Sequence, residues 1–305
     1  MEKKYSLSAV CFGEVLWDIF PTHKKIGGAP LNVSLRMNSI GVNTTMISRI
    51  GDDDNGKDIL SFLNDQEVTT DLIQITGEYK TGAVQVMINE KGNASYDILY
   101  PSAWDKIIET EMMDKVVAEA DAFVFGSLAC RDEVTRATLN KLLEKANYKI
   151  FDVNLRAPYY TIDVLNELML KADFIKLNDE ELREISSELG STYNSFEQNI
   201  KFLAEKTNTK QVCVTKGEFG AVLYSNDKFY YNSGYFIKVV DTVGAGDSFL
   251  ASLIVKLLRG KSPQKALNYA CAIGALVAGQ EGANPQISEK VIRDYMKVEK
   301  KYKNI

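Results

Sequence analysis

Val240-Asp241-Thr242-Val243-Gly244-Ala245-Gly246-Asp247-Ser248 decides how this chain is read. The residues before it, Tyr235–Val240, read as a strand. After it Phe249, Leu250, Leu253, Ile254, Leu257 and Leu258 recur at helical spacing until Gly260. The stretch is therefore a strand-to-helix turn whose residues Gly244, Ala245 and Gly246 carry little or no side chain. Their N–H groups lie where the helix dipole is positive, which makes an anion site. Asp247 falls in the first helical turn, beside the anion. A carboxylate there repels a phosphate unless it has work to do, and its natural task is to take the proton of a hydroxyl that attacks phosphorus. The plainer alternative is that the glycines make a tight turn and Asp247 complements the dipole.

Other phosphate motifs do not fit. Gly260-Lys261-Ser262 has Val255 where a P-loop needs its first glycine, and Gly244-x-Gly246 has Phe249 in place of the third glycine of the dinucleotide fingerprint.

Working outward, short apolar runs alternate with helical patterns. Ala9–Phe12, Thr45–Ile50, Ala122–Gly126, Lys149–Asn154, Asp173–Leu177 and Gln211–Thr215 read as strands. Helices are read at Pro30–Ile40, Glu133–Ala146, Ile162–Leu170, Asp179–Leu189 and Ser195–Lys206. Such alternation predicts an α/β fold around a mostly parallel sheet buried on both faces. Gly82–Asn89 and Ala94–Tyr100 break the rhythm, alternating with period two around Glu90-Lys91-Gly92-Asn93, a hairpin pattern. With Val15–Phe20 beside it, this predicts a small separate sheet and a candidate lid. A second hairpin, Ala221–Ser225 with Lys228–Asn232, extends the edge of the main sheet. Ser262-Pro263 starts a helix rich in small residues, so something packs close to its backbone.

Composition narrows the chemistry. The 305 residues carry a net charge of −5, four cysteines and one histidine, His23. One histidine excludes multi-histidine metal centres and leaves acid/base work to carboxylates. The scattered cysteines, without C-x-x-C, read as buried thiols of a reducing, cytoplasmic compartment. No apolar window reaches the length of a membrane span, and mild acidity argues against nucleic acid or membrane as the partner.

Asp241-Thr242-Val243-Gly244-Ala245-Gly246-Asp247 resembles the C-terminal signature of the ribokinase-like (PfkB) carbohydrate kinases. Gly27-Gly28-Ala29-Pro30-Leu31-Asn32 resembles that family's N-terminal glycine-rich motif. With the preceding Gly13–Pro21 stretch it is most similar to fructokinases. The resemblance covers nearly the whole chain. It implies a single three-layer α/β/α domain over 1–305, with a lid formed by about 14–28 and 80–102.

It implies roles as well. Asp18, Gly27, Gly28 and Asn32 match sugar-binding positions, and Asn154 and Arg156 match those of an Asp-x-Asn-x-Arg stretch facing the cleft. Asn178 and Glu181 match the Asn-x-x-Glu motif that organises Mg²⁺ and phosphate through water, although the same pair reads as an N-cap and its capping-box partner. Thr215, Gly217 and Gly220 match the loop beside ATP. Asp247 matches the catalytic base, and Gly244, Ala245 and Gly246 the anion hole. A K⁺ ion of the family matches Asp241, Val243, Val277, Gln280, Gly282 and Gln286, where side chains are not diagnostic.

The implied activity is ATP-dependent phosphorylation of a sugar, fructose above 2-keto-3-deoxygluconate or ribose. An unphosphorylated sugar is favoured, since Arg156 is the single arginine placed in the cleft. A sensor without catalysis is the alternative of a different class. The lid hairpin, with Val84, Val86 and Ile88, is expected to pair with a second copy in a homodimer.

Overall fold

The computed structural model describes residues 6–88 and 94–302; the turn expected at Glu90–Asn93 lies outside them. The chain divides into two compact units, Met1–Asn147 and Tyr148–Ile305. The first runs β1 (Ser8–Phe12), β2 (Leu16–Ile19), β3 (Lys24–Gly27), α1 (Ala29–Ser39), β4 (Asn43–Gly51), α2 (Asp54–Asp65), β5 (Ile73–Thr76), β6 (Gly82–Ile88), β7 (Ala94–Ile98), α3 (Glu111–Glu119), β8 (Ala122–Gly126) and α4 (Glu133–Lys145). Strands β8, β1, β4 and β5 lie side by side and parallel. Every residue of β8 is buried. Since neighbouring strand residues face opposite sides, this sheet is covered on both faces, as its apolar runs require.

The period-two segments form a separate four-stranded sheet in the order β3-β2-β6-β7. β6 and β7 are the antiparallel hairpin, β2 runs parallel to β6, and β3, which the sequence did not mark as a strand, closes the edge antiparallel to β2. Val84 and Val86 are buried within the chain. Two of the side chains expected to face a second copy are thus already used inside the protein.

Asp53 fixes the root of this sheet. It caps α2 by accepting the Gly56 N–H at 2.9 Å, and it also accepts the Thr81 N–H at 3.0 Å and the Thr81 hydroxyl at 2.6 Å, one residue before β6.

The second unit runs β9 (Lys149–Asp152), α5 (Ile162–Lys171), β10 (Phe174–Asn178), α6 (Asp179–Glu188), α7 (Phe196–Thr207), β11 (Gln211–Thr215), β12 (Ala221–Ser225), β13 (Lys228–Asn232), α8 (Ala245–Leu258), α9 (Pro263–Ala278) and α10 (Glu289–Tyr302). β9, β10 and β11 are parallel, and β12 and β13 continue the edge as the expected antiparallel hairpin. The small residues of α9 admit α8: a Cβ on Gly274 would lie 3.4 Å from the Ala245 carbonyl oxygen and 3.5 Å from Phe249 Cβ.

Tyr235–Val240, expected as a strand, is not one. Its backbone is tied to helices instead. The N–H groups of Val240 and Asp241 both donate to the Ala278 carbonyl at the end of α9. The Tyr295 hydroxyl of α10 donates to the Phe236 carbonyl. The four cysteines are buried and form no disulfide with one another. Among the described residues no helix is long and apolar enough to cross a membrane.

Partial burial works to raise the Asp53 carboxyl, but the bonds from Thr81 and Gly56 outweigh it and hold its pKa below the ordinary carboxylate value. A depressed carboxylate contributes stability in full above the unfolded pKa, near 4, and loses it as pH falls through the folded value. Asp53→Ala should therefore cost about 1–2 kcal/mol at pH 7 by urea unfolding. The gap to wild type should narrow below about pH 4; a gap independent of pH would show that the carboxylate charge is not the source.

Candidate active site

Gly244 takes φ +74° as the N-cap of α8. A Cβ on it would lie 2.6 Å from both the Cα and the carbonyl oxygen of Ala283. Glycine here is demanded by the chain's own packing, in addition to the left-handed backbone. The Asp241 carboxylate holds the same junction. One oxygen accepts the Val243 N–H at 3.0 Å and the other the Gly282 N–H at 3.2 Å. Three positions of the expected cation set, Asp241, Val243 and Gly282, are thereby brought together. Val277 is buried at the end of α9, where its carbonyl accepts the Gln280 N–H at 2.9 Å; Gln286 is exposed.

Helix α8 starts at Ala245, so its first N–H groups have no intrahelical acceptor. That of Ala245 donates to the Thr242 carbonyl at 3.2 Å. Asp247 is half-buried in this first turn.

A cavity of about 560 Å³ opens against that turn. Ala245, Gly246, Thr215, Gly217, Gly220 and Asn178 line it, joining motifs from three separate parts of the sequence. The loop after β11 is shaped by glycines: Gly220, at φ +78°, passes the Asn232 carbonyl oxygen so closely that a Cβ would lie 2.1 Å from it. The rest of the lining is largely apolar, with Phe236, Ile237 and Val239 and with Ala275 and Ala278 of α9, beside the polar Glu218, Ser233 and Thr242. This wall was missed in the sequence because 235–240 looked like a strand. Its signal was there in four apolar or aromatic residues flanking the signature.

Asn178 and Glu181 form the capping box of α6. Asn178 Oδ1 accepts the Glu181 N–H and Glu181 Oε2 accepts the Asn178 N–H, each at 2.8 Å. Glu181 Oε1 also accepts the Leu155 N–H at 2.8 Å. This bond joins the Asp-x-Asn-x-Arg stretch to the Asn-x-x-Glu motif. Burial raises the Glu181 carboxyl above its ordinary pKa although Lys176 and these N–H groups oppose it. Asn154 turns the chain at φ +41°, and Arg156 is exposed, donating to the carbonyl of Leu155 at 2.8 Å. Lys216 packs over the Phe196 ring at 5.7 Å.

In the first unit, Asp18 lies half-buried on β2, in register with Lys25 of β3. A Cβ on Gly27 would meet its Oδ2 at 2.6 Å. Gly28, at φ +116°, caps α1 and passes the Glu14 carbonyl oxygen, which a Cβ would approach to 2.4 Å. Asn32, buried one turn on, donates its N–H to the Gly28 carbonyl at 2.9 Å. The glycine-rich motif and Asp18 thus share one corner of this unit.

Residues 3–290 match the model of the pfkB family of carbohydrate kinases. The chain belongs to this family. It is accordingly a sugar kinase, and its fold is ribokinase-like. It is 28% identical over 308 residues to fructokinase-2 of Solanum habrochaites, covering 91% of this chain and 92% of that protein. The fructokinase of Xylella fastidiosa, solved with bound ATP, superposes with a TM-score of 0.86 at 21% identity, covering 96% of this chain and 99% of that one. The 2-dehydro-3-deoxygluconokinase of Thermotoga maritima superposes with a TM-score of 0.82 at 23% identity over 96% and 99%.

Glu181→Ala would leave two N–H groups without their acceptor at the junction of β9, β10 and α6. In urea, with a chelator present to remove divalent ions, the loss should be about 2 kcal/mol or more. Unchanged stability would mean that the carboxylate does not hold this junction.

Proposed function

We propose that the protein transfers the γ-phosphoryl group of ATP to a hydroxyl of an unphosphorylated sugar, fructose before other sugars. The observation that carries this reading is the first turn of α8: a carboxylate, Asp247, lies beside N–H donors that have no helical acceptor, and the same turn lines an apolar-walled cavity. A purine base suits the wall of Phe236, Ile237, Val239, Ala275 and Ala278, and the loop carrying Thr215, Gly217 and Gly220 suits a ribose and its phosphates.

In this reading Asp247 accepts the proton of the attacking hydroxyl. The amides of Gly244–Gly246 stabilise charge on the transferring group, where losing one such donor costs about 3 kcal/mol of barrier. Asp18, Gly27, Gly28 and Asn32 bind the sugar, with Asn154 and Arg156 as further contacts. The small sheet closes as a lid to exclude water. Asn178 and Glu181 offer the hard oxygen donors that Mg²⁺ takes, and their capping bonds leave them to hold it through water. That ion would neutralise phosphate charge. The loops that Asp241 joins, with the carbonyls of Val277 and Gln280 and the exposed Gln286, would accommodate K⁺.

Fructose rests on the Gly-Gly-Ala-Pro-x-Asn form and on the fructokinases among the relatives. The gluconokinase of like fold keeps 2-keto-3-deoxygluconate as the second reading. ADP release measured with fructose, ribose, 2-keto-3-deoxygluconate and fructose 6-phosphate should give the highest kcat/KM for fructose. A higher value for another sugar would replace it, and sugar binding without ADP release would favour a sensor. Asp247→Asn should fold normally by circular dichroism yet lose turnover by about 10²–10⁴-fold; near-normal turnover would remove Asp247 as the base.

A further inference from the structure

Lys176 stands in the middle of β10, whose other residues from Phe174 to Leu177 are apolar and buried. Its own side chain is 9% exposed. A charge in a parallel strand covered on both faces costs several kcal/mol unless it is paired and used. The neighbouring strand supplies one partner: Lys176 is in register with Asp152 of β9, and Nζ donates to Asp152 Oδ1 at 2.9 Å.

Pairing alone does not account for it, since an apolar pair of similar volume would serve a core as well or better. Two features point beyond the pair. Asp152 is 3% exposed, yet its Oδ2 has no hydrogen-bond partner, so the pair is not a closed, mutually satisfied unit. The ammonium also reaches α8: a Cβ placed on Gly246 would lie 3.4 Å from Lys176 Nζ. A buried cation thus abuts the positive end of a helix, an arrangement that repels unless negative charge sits between. Asp247 supplies negative charge nearby, and a phosphate would supply more. Burial works against the charge on Lys176, but the surrounding Asp152, Glu181 and Asp247 outweigh it, and its pKa lies above the ordinary lysine value.

We propose that Lys176 is a positioning residue for phosphoryl transfer, an ammonium clamped by Asp152 that sets Asp247 and the terminal phosphate of the nucleotide against the first turn of α8. This rests on the kinase reading and adds to the helix amides a fixed charge from the sheet beneath them. Asp152 orients the ammonium.

Lys176→Met and the double variant Asp152→Asn/Lys176→Met separate this role from a structural one. The single variant strands a buried carboxylate, so it is checked for folding by circular dichroism and urea. The double variant removes both charges, so that no buried ion is left unpaired. In the double variant kcat should remain about 100-fold below wild type while the sugar KM stays within twofold. By calorimetry it should bind a non-hydrolysable ATP analogue at least tenfold more weakly and AMP unchanged. Recovery of kcat and of analogue affinity in the double variant would show that Lys176 serves only to neutralise Asp152, and would overturn the proposal. Wild-type protein is measured alongside. If it turns over a sugar and the double variant matches it, the proposal alone falls; if it neither turns over any sugar nor binds the analogue, the kinase reading falls with it.

Discussion

The second unit depends on the close approach of Gly244 to Ala283. A backbone at φ +74° with another chain segment 2.6 Å from where a Cβ would stand admits glycine and nothing larger. That approach fixes where α8 begins. Once Ala245 is the first helical residue, Asp247 must fall in the first turn, and the donors that the helix leaves unused must surround it. The carboxylate of Asp241 reinforces the junction from the other side through the N–H groups of Val243 and Gly282. The sequence suggested that Gly244 is small so that a ligand can come near. Its smallness is also what lets the protein come near itself at Ala283.

A second junction works in the same way. The capping box of Asn178 and Glu181 closes α6 onto β10, and Glu181 reaches back to the Leu155 N–H beyond β9. Two motifs that look independent along the chain are one hydrogen-bonded corner. Asn178 is thus both the cap of α6 and a residue of the cavity wall. Substitutions here will disturb position before they disturb chemistry.

Most of the fold was legible because buried parallel strands leave apolar runs and amphipathic helices leave a 3.6-residue period. Ala122–Gly126, Gln211–Thr215 and both edge-hairpin strands fall where the pattern puts them. Other features escaped, α2, β5, α3 and α10 among them. Lys24–Gly27 is a short edge strand whose two lysines gave no apolar alternation. Tyr235–Val240 has strand composition, but its last N–H, that of Val240, finds the end of α9 instead of a ladder. Val84 and Val86 looked like a surface for another copy because a lone hairpin has a free face, and only the folded chain shows them covered. Lys176 was hidden by its neighbours, since a run of apolar residues draws the eye past the one charge inside it. That charge was the stronger signal.

Why the family is so much easier to read than the sugar follows from what each depends on. The family signature rests on positions where substitution is sterically forbidden, such as Gly28 passing the Glu14 carbonyl and Gly244 passing Ala283. Those constraints are coarse and survive in the residue letters. On the proposed reading, in which Asp18 binds the sugar, the choice among sugars would rest on which hydroxyl meets its carboxylate and at what angle, and a shift of well under an ångström would change it without changing a letter. Asp18 lies directly over Gly27, where even a methyl group would collide with it. The carboxylate position is thus set by the pairing of β2 and β3. Specificity among sugars in this chain should accordingly be sought in the register and tilt of the small sheet as much as in the identity of its side chains.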